Sequence, residues 1–229
     1  MTFATKIITF NKSLAHKTIA GLATSITVMN PYQDPYVLKV SSAFYNQYFD
    51  DTRKRKLILG INPGKSGAGV TGVPFTDTEN LKECGISWAK EKSYEPSSRF
   101  IYDLIEEYNK GSTKFYQDFF ISNVCPLGFT KRSDKGRTVN INYYDMIELL
   151  TSTTPFILES LKAQIGFGID TSKVFCLGTT ENYQYLKNLN KEHRLFDEIV
   201  ALTHPRYIIQ YKNNDKKRYI DRYLKALGC

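Results

Sequence analysis

The sequence has few of the residues that build metal or disulfide sites. Its four cysteines (Cys84, Cys125, Cys176 and Cys229) lie far apart, form no CxxC pair and are accompanied by only three histidines. Zinc and iron–sulfur sites need clustered thiolates or imidazoles, so neither is expected, and nothing indicates an oxidising compartment. We therefore expect neither a metal nor a cofactor.

Long apolar runs are also missing. No uninterrupted apolar stretch approaches the roughly 18 residues that a transmembrane helix needs. The first residues lack an apolar segment followed by a small-residue cleavage site, which a signal peptide would have. We expect a cytoplasmic protein that does not bind membranes and acts as a monomer.

Positive charge and aromatic residues are abundant. The net charge is +8, and 14% of the residues are aromatic. Such a charge favours an anionic partner, most commonly a nucleic acid, although a solvated basic surface without a specific partner has the same composition. With no internal repeat and no Pro- or Ser-rich linker, the 229 residues are expected to form one domain, on which a helical extension of about 50 N-terminal residues packs.

Short apolar runs alternate with segments of helical periodicity. This alternation predicts a parallel sheet with helices on both faces. Strands are expected at 56–61, at the end of 115–124, at 173–177 and at 199–202, and helices at 36–49, about 97–108 (with Ser97 and Ser98 as the N-cap), 143–164, 180–189 and 215–227.

Three of the predicted strands end at a polar side chain, namely Asn62, Asn123 and His204. In a parallel sheet these ends lie at the same edge, which is where α/β proteins bind ligands. The pattern therefore predicts a site that contains all three residues.

Two motifs resemble known sites but lack essential features. The segment LGINPGKS (59–66) is close to a phosphate-binding loop, but its first glycine is displaced by one position and Pro63 has no N–H to offer a phosphate. The segment QDPY (33–36) resembles the water-activating motif of the most active uracil-DNA glycosylases. Tyr32 and Val37 stand there where a glycine and a histidine are expected, so we interpret it as a turn that begins a helix.

Four further motifs occur together and in order: GINPG (60–64), TGVPF (71–75), NVCPL (123–127) and His204-Pro205. In this order and spacing they resemble the motifs of the single-strand-selective monofunctional uracil-DNA glycosylases, over roughly residues 55–210. The resemblance implies a three-layer α/β/α sandwich around a mostly parallel four-stranded sheet. It also implies removal of uracil, and often of oxidised or 5-substituted uracils, from single- or double-stranded DNA in base excision repair.

The resemblance assigns catalytic roles to two residues. Asn62 matches the residue that positions the attacking water, although an amide is not a strong general base and Asn-Pro is also common in turns. His204 matches the histidine that faces O2 of uracil, where a neutral imidazole can donate a hydrogen bond to the departing anion.

Five other positions are expected to bind the base. Asn123 can pair with O4 and N3–H of uracil, which cytosine cannot satisfy in the same way. Phe75 is expected to stack on the flipped base, with core packing as the alternative. Ile61 and Gly64 are expected to line the pocket, and Ala68 stands beside C5 where the similar enzymes carry a larger apolar residue.

The remaining assignments concern DNA. Residues 203–229 contain seven Lys or Arg against two Asp, and residues 131–137 are expected to form a flexible basic loop. The segment after His204 corresponds to the wedge that enters the helix in the similar enzymes. Contacts with DNA are therefore expected from Lys65, Ser66, Arg206, Tyr207 and Ile208.

No lysine lies inside a pocket motif, as a Schiff-base nucleophile would require, so a monofunctional enzyme is expected. Two alternatives stay open at this point. One is a non-catalytic relative that binds damaged DNA, and the other is a nucleotide-binding phosphohydrolase that uses residues 60–66.

Overall fold

Two β-sheets organise the chain in the computed structural model, which describes residues 1–108 and 111–228. The strands are β1 (Ile26–Met29), β2 (Arg55–Gly60), β3 (Phe119–Asn123), β4 (Gly128–Arg132), β5 (Thr138–Ile141), β6 (Ile169–Leu177) and β7 (Ile199–Leu202). The helices are α1 (Phe3–Leu14), α2 (Pro35–Phe49), α3 (Ala68–Thr71), α4 (Thr78–Glu83), α5 (Pro96–Glu107), α6 (Ser112–Asp118), α7 (Ile147–Ile165), α8 (Glu181–His193), α9 (Pro205–Tyr211) and α10 (Lys216–Leu227).

The central sheet has the strand order β3-β2-β6-β7, and every neighbouring pair is parallel. Leu57, Ile58 and Leu59 of β2 are at most 1% exposed, as expected for a strand covered on both faces. The predicted α/β/α sandwich with a parallel four-stranded sheet is confirmed. Gly60 at the end of β2 lies in register with Asn123 at the end of β3, so the segments that follow these strands leave the sheet side by side.

The first helix is part of the core. The Phe3 ring contacts the rings of Phe49 on α2 and Phe120 on β3, at centroid distances of 5.8 and 5.4 Å. The fully buried guanidinium of Arg55 lies 4.7 Å from the Phe3 centroid, and both of its terminal nitrogens donate to the Asp51 carboxylate at 2.8 Å. These contacts connect the first 50 residues to the sheet.

Several local predictions differ from the structure. Residues 131–137 form the end of an antiparallel hairpin, β4–β5, because Ser133 and Gly136 close a hydrogen-bonded turn. Together with β1 this hairpin makes a second, three-stranded sheet that was not predicted. Helix α5 begins at Pro96, so Ser97 and Ser98 lie inside it and Glu95 occupies the N-cap position. The segment after His204 is a helix, α9.

Within the described residues, no helix has the length and apolar character needed to cross a bilayer. The same part of the chain contains no group of three or more His, Cys, Asp or Glu side chains arranged to hold a metal ion.

Candidate active site

A pocket of about 230 Å³ lies at the carboxyl ends of the parallel strands, where the predicted site residues meet. This volume is below the roughly 300–1,000 Å³ of pockets that hold drug-sized ligands, so the pocket suits a small group. Its lining residues are Ile61, Asn62, Pro63, Gly64, Ala68, Phe75, Glu95, Ser97, Asn123, Asn142, His204, Arg206, Tyr207, Gln210 and Tyr211.

Asn62, just beyond β2, is held by backbone groups at the end of β5 and just after it. Its Oδ1 accepts a hydrogen bond from the Tyr143 N–H at 3.0 Å, and its Nδ2 donates to the Ile141 carbonyl at 3.3 Å. These bonds fix which side of the amide is oxygen and which is nitrogen. Because a carbonyl oxygen has two lone pairs, Oδ1 can still accept one hydrogen bond from a water molecule in the pocket.

Asn123 lies in the floor of the pocket at the end of β3 and is 5% exposed. Among the described residues, no group hydrogen-bonds to its side-chain amide, and the residue lines the pocket. A buried polar group usually has a partner, so a free amide that faces a pocket is available to a ligand. Its donor and its acceptor can bind two adjacent atoms on the edge of a base.

Gly60 allows Asn123 and Phe75 to approach each other. A Cβ atom at Gly60 would lie 2.5 Å from Oδ1 of Asn123 and 2.7 Å from Cε2 of Phe75, which is far inside van der Waals contact. The glycine at the end of β2 is therefore required by the packing of these two side chains.

The Phe75 backbone adopts φ = 52°, in the left-handed region that non-glycine residues rarely occupy. The preceding turn is held by the buried Thr71 hydroxyl, which contacts the Val73 backbone and donates to the Thr76 carbonyl at 2.6 Å. Such backbone strain costs about 1–3 kcal/mol and occurs preferentially at functional sites. Here it holds the aromatic ring in the pocket wall, 5.9 Å from the His204 ring.

His204 follows β7 and is the N-cap residue of α9. Its Nδ1 accepts a hydrogen bond from the Arg206 N–H at 3.1 Å, so in the neutral ring the proton is on Nε2. Burial, together with the positive charge of Arg206, lowers the pKa of His204 from 6.5 to about 3. The ring is thus a neutral hydrogen-bond donor at any physiological pH.

The pocket brings together nine of the twelve predicted site residues, and Lys65, Ser66 and Ile208 are the exceptions. The Lys65 Nζ donates to the Thr138 carbonyl at 2.9 Å on the exposed surface, beside the pocket. Ile208 is completely buried on the inner side of α9, so in this conformation it cannot contact DNA. The predicted contact between Ile208 and DNA does not fit this burial, because α9 turns the Ile208 side chain toward the protein core.

Sequence reasoning missed several lining residues. Tyr211 lies one helical turn after Tyr207, and their rings are 5.3 Å apart with exposures of 63% and 45%. A helix predicted for this segment would have placed the two tyrosines side by side, because residues four apart are neighbours on a helix surface. Glu95 and Asn142 had no such signal, because each reaches the pocket only through the long-range packing of its segment.

Comparison with known proteins places this geometry in a family. Residues 47–228 match the sequence model of the uracil DNA glycosylase superfamily. The solved structure of wild-type SMUG2 from Pedobacter heparinus superposes with a TM-score of 0.95 at 45% sequence identity, over 99% of this chain and 97% of that one. No protein with a curated description matches the chain significantly.

The family match covers most of the chain and includes each strand end that lines the pocket. The likeness to SMUG2 extends over nearly the whole chain, and at this sequence identity it indicates a shared family and not only a shared fold. The chain belongs to the uracil DNA glycosylase superfamily and is a DNA glycosylase of base excision repair.

Proposed function

We propose that this glycosylase hydrolyses the N-glycosidic bond of uracil and related damaged bases in DNA, leaving an abasic site. We further propose that it acts as a cytoplasmic monomer, as one domain, and without metal or cofactor. The observation that carries the proposal is the convergence of Asn62, Asn123, His204 and Phe75 on one pocket of about 230 Å³.

Base recognition is assigned to Asn123 and Phe75. The free amide of Asn123 can accept a hydrogen bond from N3–H of uracil and donate one to O4, whereas cytosine offers the reverse pattern at these positions. The strained position of Phe75 supports a stacking role, because the ring faces the pocket and can replace the stacking that a flipped base loses.

Bond cleavage is assigned to Asn62 and His204. The C1′–N1 bond breaks with its electron pair going to the base, and the resulting negative charge develops on N1 and O2. The Nε2–H of neutral His204 stabilises this charge, as an oxyanion-hole donor does. The remaining lone pair of Asn62 Oδ1 orients a water whose oxygen forms the new bond to C1′, and the water proton leaves to solvent. An anionic leaving group of this kind reduces the need for a strong base.

The lining of the pocket supports a monofunctional enzyme. No lysine side chain is among the described residues that line it, and Lys65 is bonded to Thr138 outside it. A Schiff-base mechanism needs an amine within reach of C1′. We therefore propose that the enzyme leaves the strand uncut.

DNA binding is assigned to the surface around the pocket mouth. Arg206, Tyr207 and Tyr211 are exposed there, and Lys65 and Ser66 lie on the adjacent turn. We propose that the arginine and lysine contact phosphates while the tyrosine rings contact the bases next to the flipped one. We propose that single- and double-stranded DNA are both bound there.

The test is incubation with a labelled oligonucleotide that contains one uracil, in both strand contexts and with EDTA present. Strand breakage only after alkali treatment is the expected result. Strand breakage without alkali would contradict the monofunctional assignment. Intact DNA with tight binding would instead indicate a non-catalytic damage-binding protein, and magnesium-dependent ATP hydrolysis a phosphohydrolase.

Variants of the two catalytic residues test the site itself. Asn62→Ala and His204→Ala are each expected to lose most of the activity while keeping the melting temperature near that of the wild type. His193→Ala, which alters a histidine at the end of α8 far from the pocket lining, is the matched control and should keep full activity. Full activity in both pocket variants would refute the assignment.

A further inference from the structure

An acidic side chain lies in the wall of the proposed base pocket. Glu95 precedes α5, lines the pocket and is partly buried. Its Oε2 accepts a hydrogen bond from the Ser98 hydroxyl at 3.0 Å. The carboxyl group lies against Gly67, where a Cβ atom would be only 2.1 Å from Oε2. The proposed catalytic steps do not use this acid, although it is close to where an anionic polymer must bind.

The second oxygen of Glu95 borders the space that a side-chain Cβ at Gly64 would fill, which we call the notch above Gly64. A Cβ atom at Gly64 would lie 3.6 Å from Nδ2 of Asn140 and 3.8 Å from both Nη2 of Arg206 and Oε1 of Glu95. Asn140 accepts a hydrogen bond from the Lys65 N–H through Oδ1 at 3.1 Å, which leaves its Nδ2 donor directed at the notch. Two donors and one carboxylate therefore surround the same small space.

The donors alone would make an anion site. A guanidinium and an amide N–H are groups that proteins use to bind phosphate oxygens. DNA brings a phosphate with every nucleotide, and the net charge of +8 attracts the backbone to this protein. A phosphate whose oxygen entered the notch would lie across the pocket that the base has to enter.

We propose that Glu95 is a specificity-determining residue whose carboxylate borders the notch above Gly64 and keeps phosphate groups out of the base pocket. A neutral base meets no repulsion there, whereas a phosphate meets a negative charge at short range. The inference rests on the proposed function, since it concerns how a pocket for a neutral base rejects the phosphate groups that every nucleotide of DNA carries. Arg206 then remains available to bind a phosphate of the DNA backbone outside the pocket.

Glu95→Gln tests this proposal, because it removes the charge and keeps the shape. The probe is sulfate, a tetrahedral dianion that does not titrate between pH 5 and 8, and free uracil is the neutral ligand. Binding of each is measured by calorimetry at pH 7.5 and constant ionic strength. We expect Glu95→Gln to bind sulfate roughly tenfold or more tightly than the wild type, with uracil affinity unchanged within about twofold.

Glu106→Gln is the matched control, since it makes the same change of net charge at an exposed position on the same helix. It should leave both affinities as they are in the wild type. Equal changes of sulfate and uracil affinity in Glu95→Gln would show that Glu95 only shapes the pocket, and an unchanged sulfate affinity would show that it repels no anion. Either result overturns the proposal.

The pH dependence adds a second readout. Burial raises the pKa of Glu95 and the nearby Asp77 adds to the rise, while the Ser98 hydrogen bond and the Arg206 charge oppose it. His204 stays neutral down to about pH 3 and contributes no change. Sulfate binding to the wild type should therefore tighten as the pH falls through the raised pKa of Glu95, more steeply than in Glu95→Gln. Equal slopes in the two proteins would contradict the proposal.

These binding measurements need no catalysis. Uracil excision by the wild type is assayed on the same preparation. If the wild type does not excise uracil, the proposed function fails, while the ratio of sulfate to uracil affinity still decides the role of Glu95.

Discussion

Substituting Gly60 with alanine should disable the pocket, although glycine and alanine differ by a single methyl group. The added Cβ would lie 2.5 Å from Oδ1 of Asn123 and 2.7 Å from Cε2 of Phe75, so both side chains must retreat by about 1 Å to reach normal contact. A displacement of that size at a reacting centre can cost about 100-fold in rate. We therefore expect kcat/KM for uracil excision to fall about 100-fold in Gly60→Ala.

The same overpacking should lower stability by about 1–3 kcal/mol. At about 2 kcal/mol, a chain of this length would lose about 4–8 °C in melting temperature. Gly64→Ala is the control for stability, because its nearest neighbour would be 3.6 Å away, and it should melt within about 2 °C of the wild type. The measurements are single-turnover cleavage of a uracil oligonucleotide and thermal unfolding. If Gly60→Ala cleaves within threefold of the wild type, the positions of Asn123 and Phe75 do not control the rate of cleavage.

Three further predictions follow from the structure. His204→Ala should lower kcat by about 10²–10³-fold, and because the wild-type pKa of His204 is about 3, the wild-type kcat profile should show no inflection from this ring between pH 5 and 8. An inflection near pH 6.5 that disappears in His204→Ala would refute the neutral-donor role. Asp51→Asn should lower the free energy of unfolding by about 1.5–3 kcal/mol in urea titrations, because it removes the charged hydrogen-bond acceptors of the buried Arg55 guanidinium. A loss below about 0.5 kcal/mol would contradict this. Tyr207→Ala should raise KM for DNA without changing the melting temperature. Ile208→Ala should cost about 2–5 kcal/mol of stability and leave KM unchanged. The opposite pattern would show that Ile208 is the residue that contacts DNA.

Most of the parallel sheet could be predicted because its signals are local. The apolar run at 57–59 and the short run at 199–202 correspond to β2 and β7, and a turn residue follows each. Asn62, Asn123 and His204 were expected to converge because parallel strands end at one edge, and all three line the same pocket. These steps need only strand periodicity and topology.

The second sheet and α9 were missed for an identifiable reason. Strands β4 and β5 contain Lys131, Arg132 and Asn140, so their apolar pattern is weak, and the pairing of β4 with β1 joins segments about 100 residues apart in the chain. Local propensity carries little information about such pairing. The segment after Pro205 is assigned to a wedge from the sequence, and no helix is predicted there, although proline at the first helical position and the His204 cap favour a helix.

The sequence alone determined the class of the protein and the polar residues at its strand ends, because strand periodicity, turn residues and the order of four motifs are properties of short segments. Only the tertiary structure decided which other groups meet those residues. It placed the carboxylate of Glu95 and the amide of Asn140 at the notch above Gly64, and it set the left-handed backbone of Phe75. Each of these features depends on the packing of segments that are distant in the chain, and no local pattern records how such segments pack.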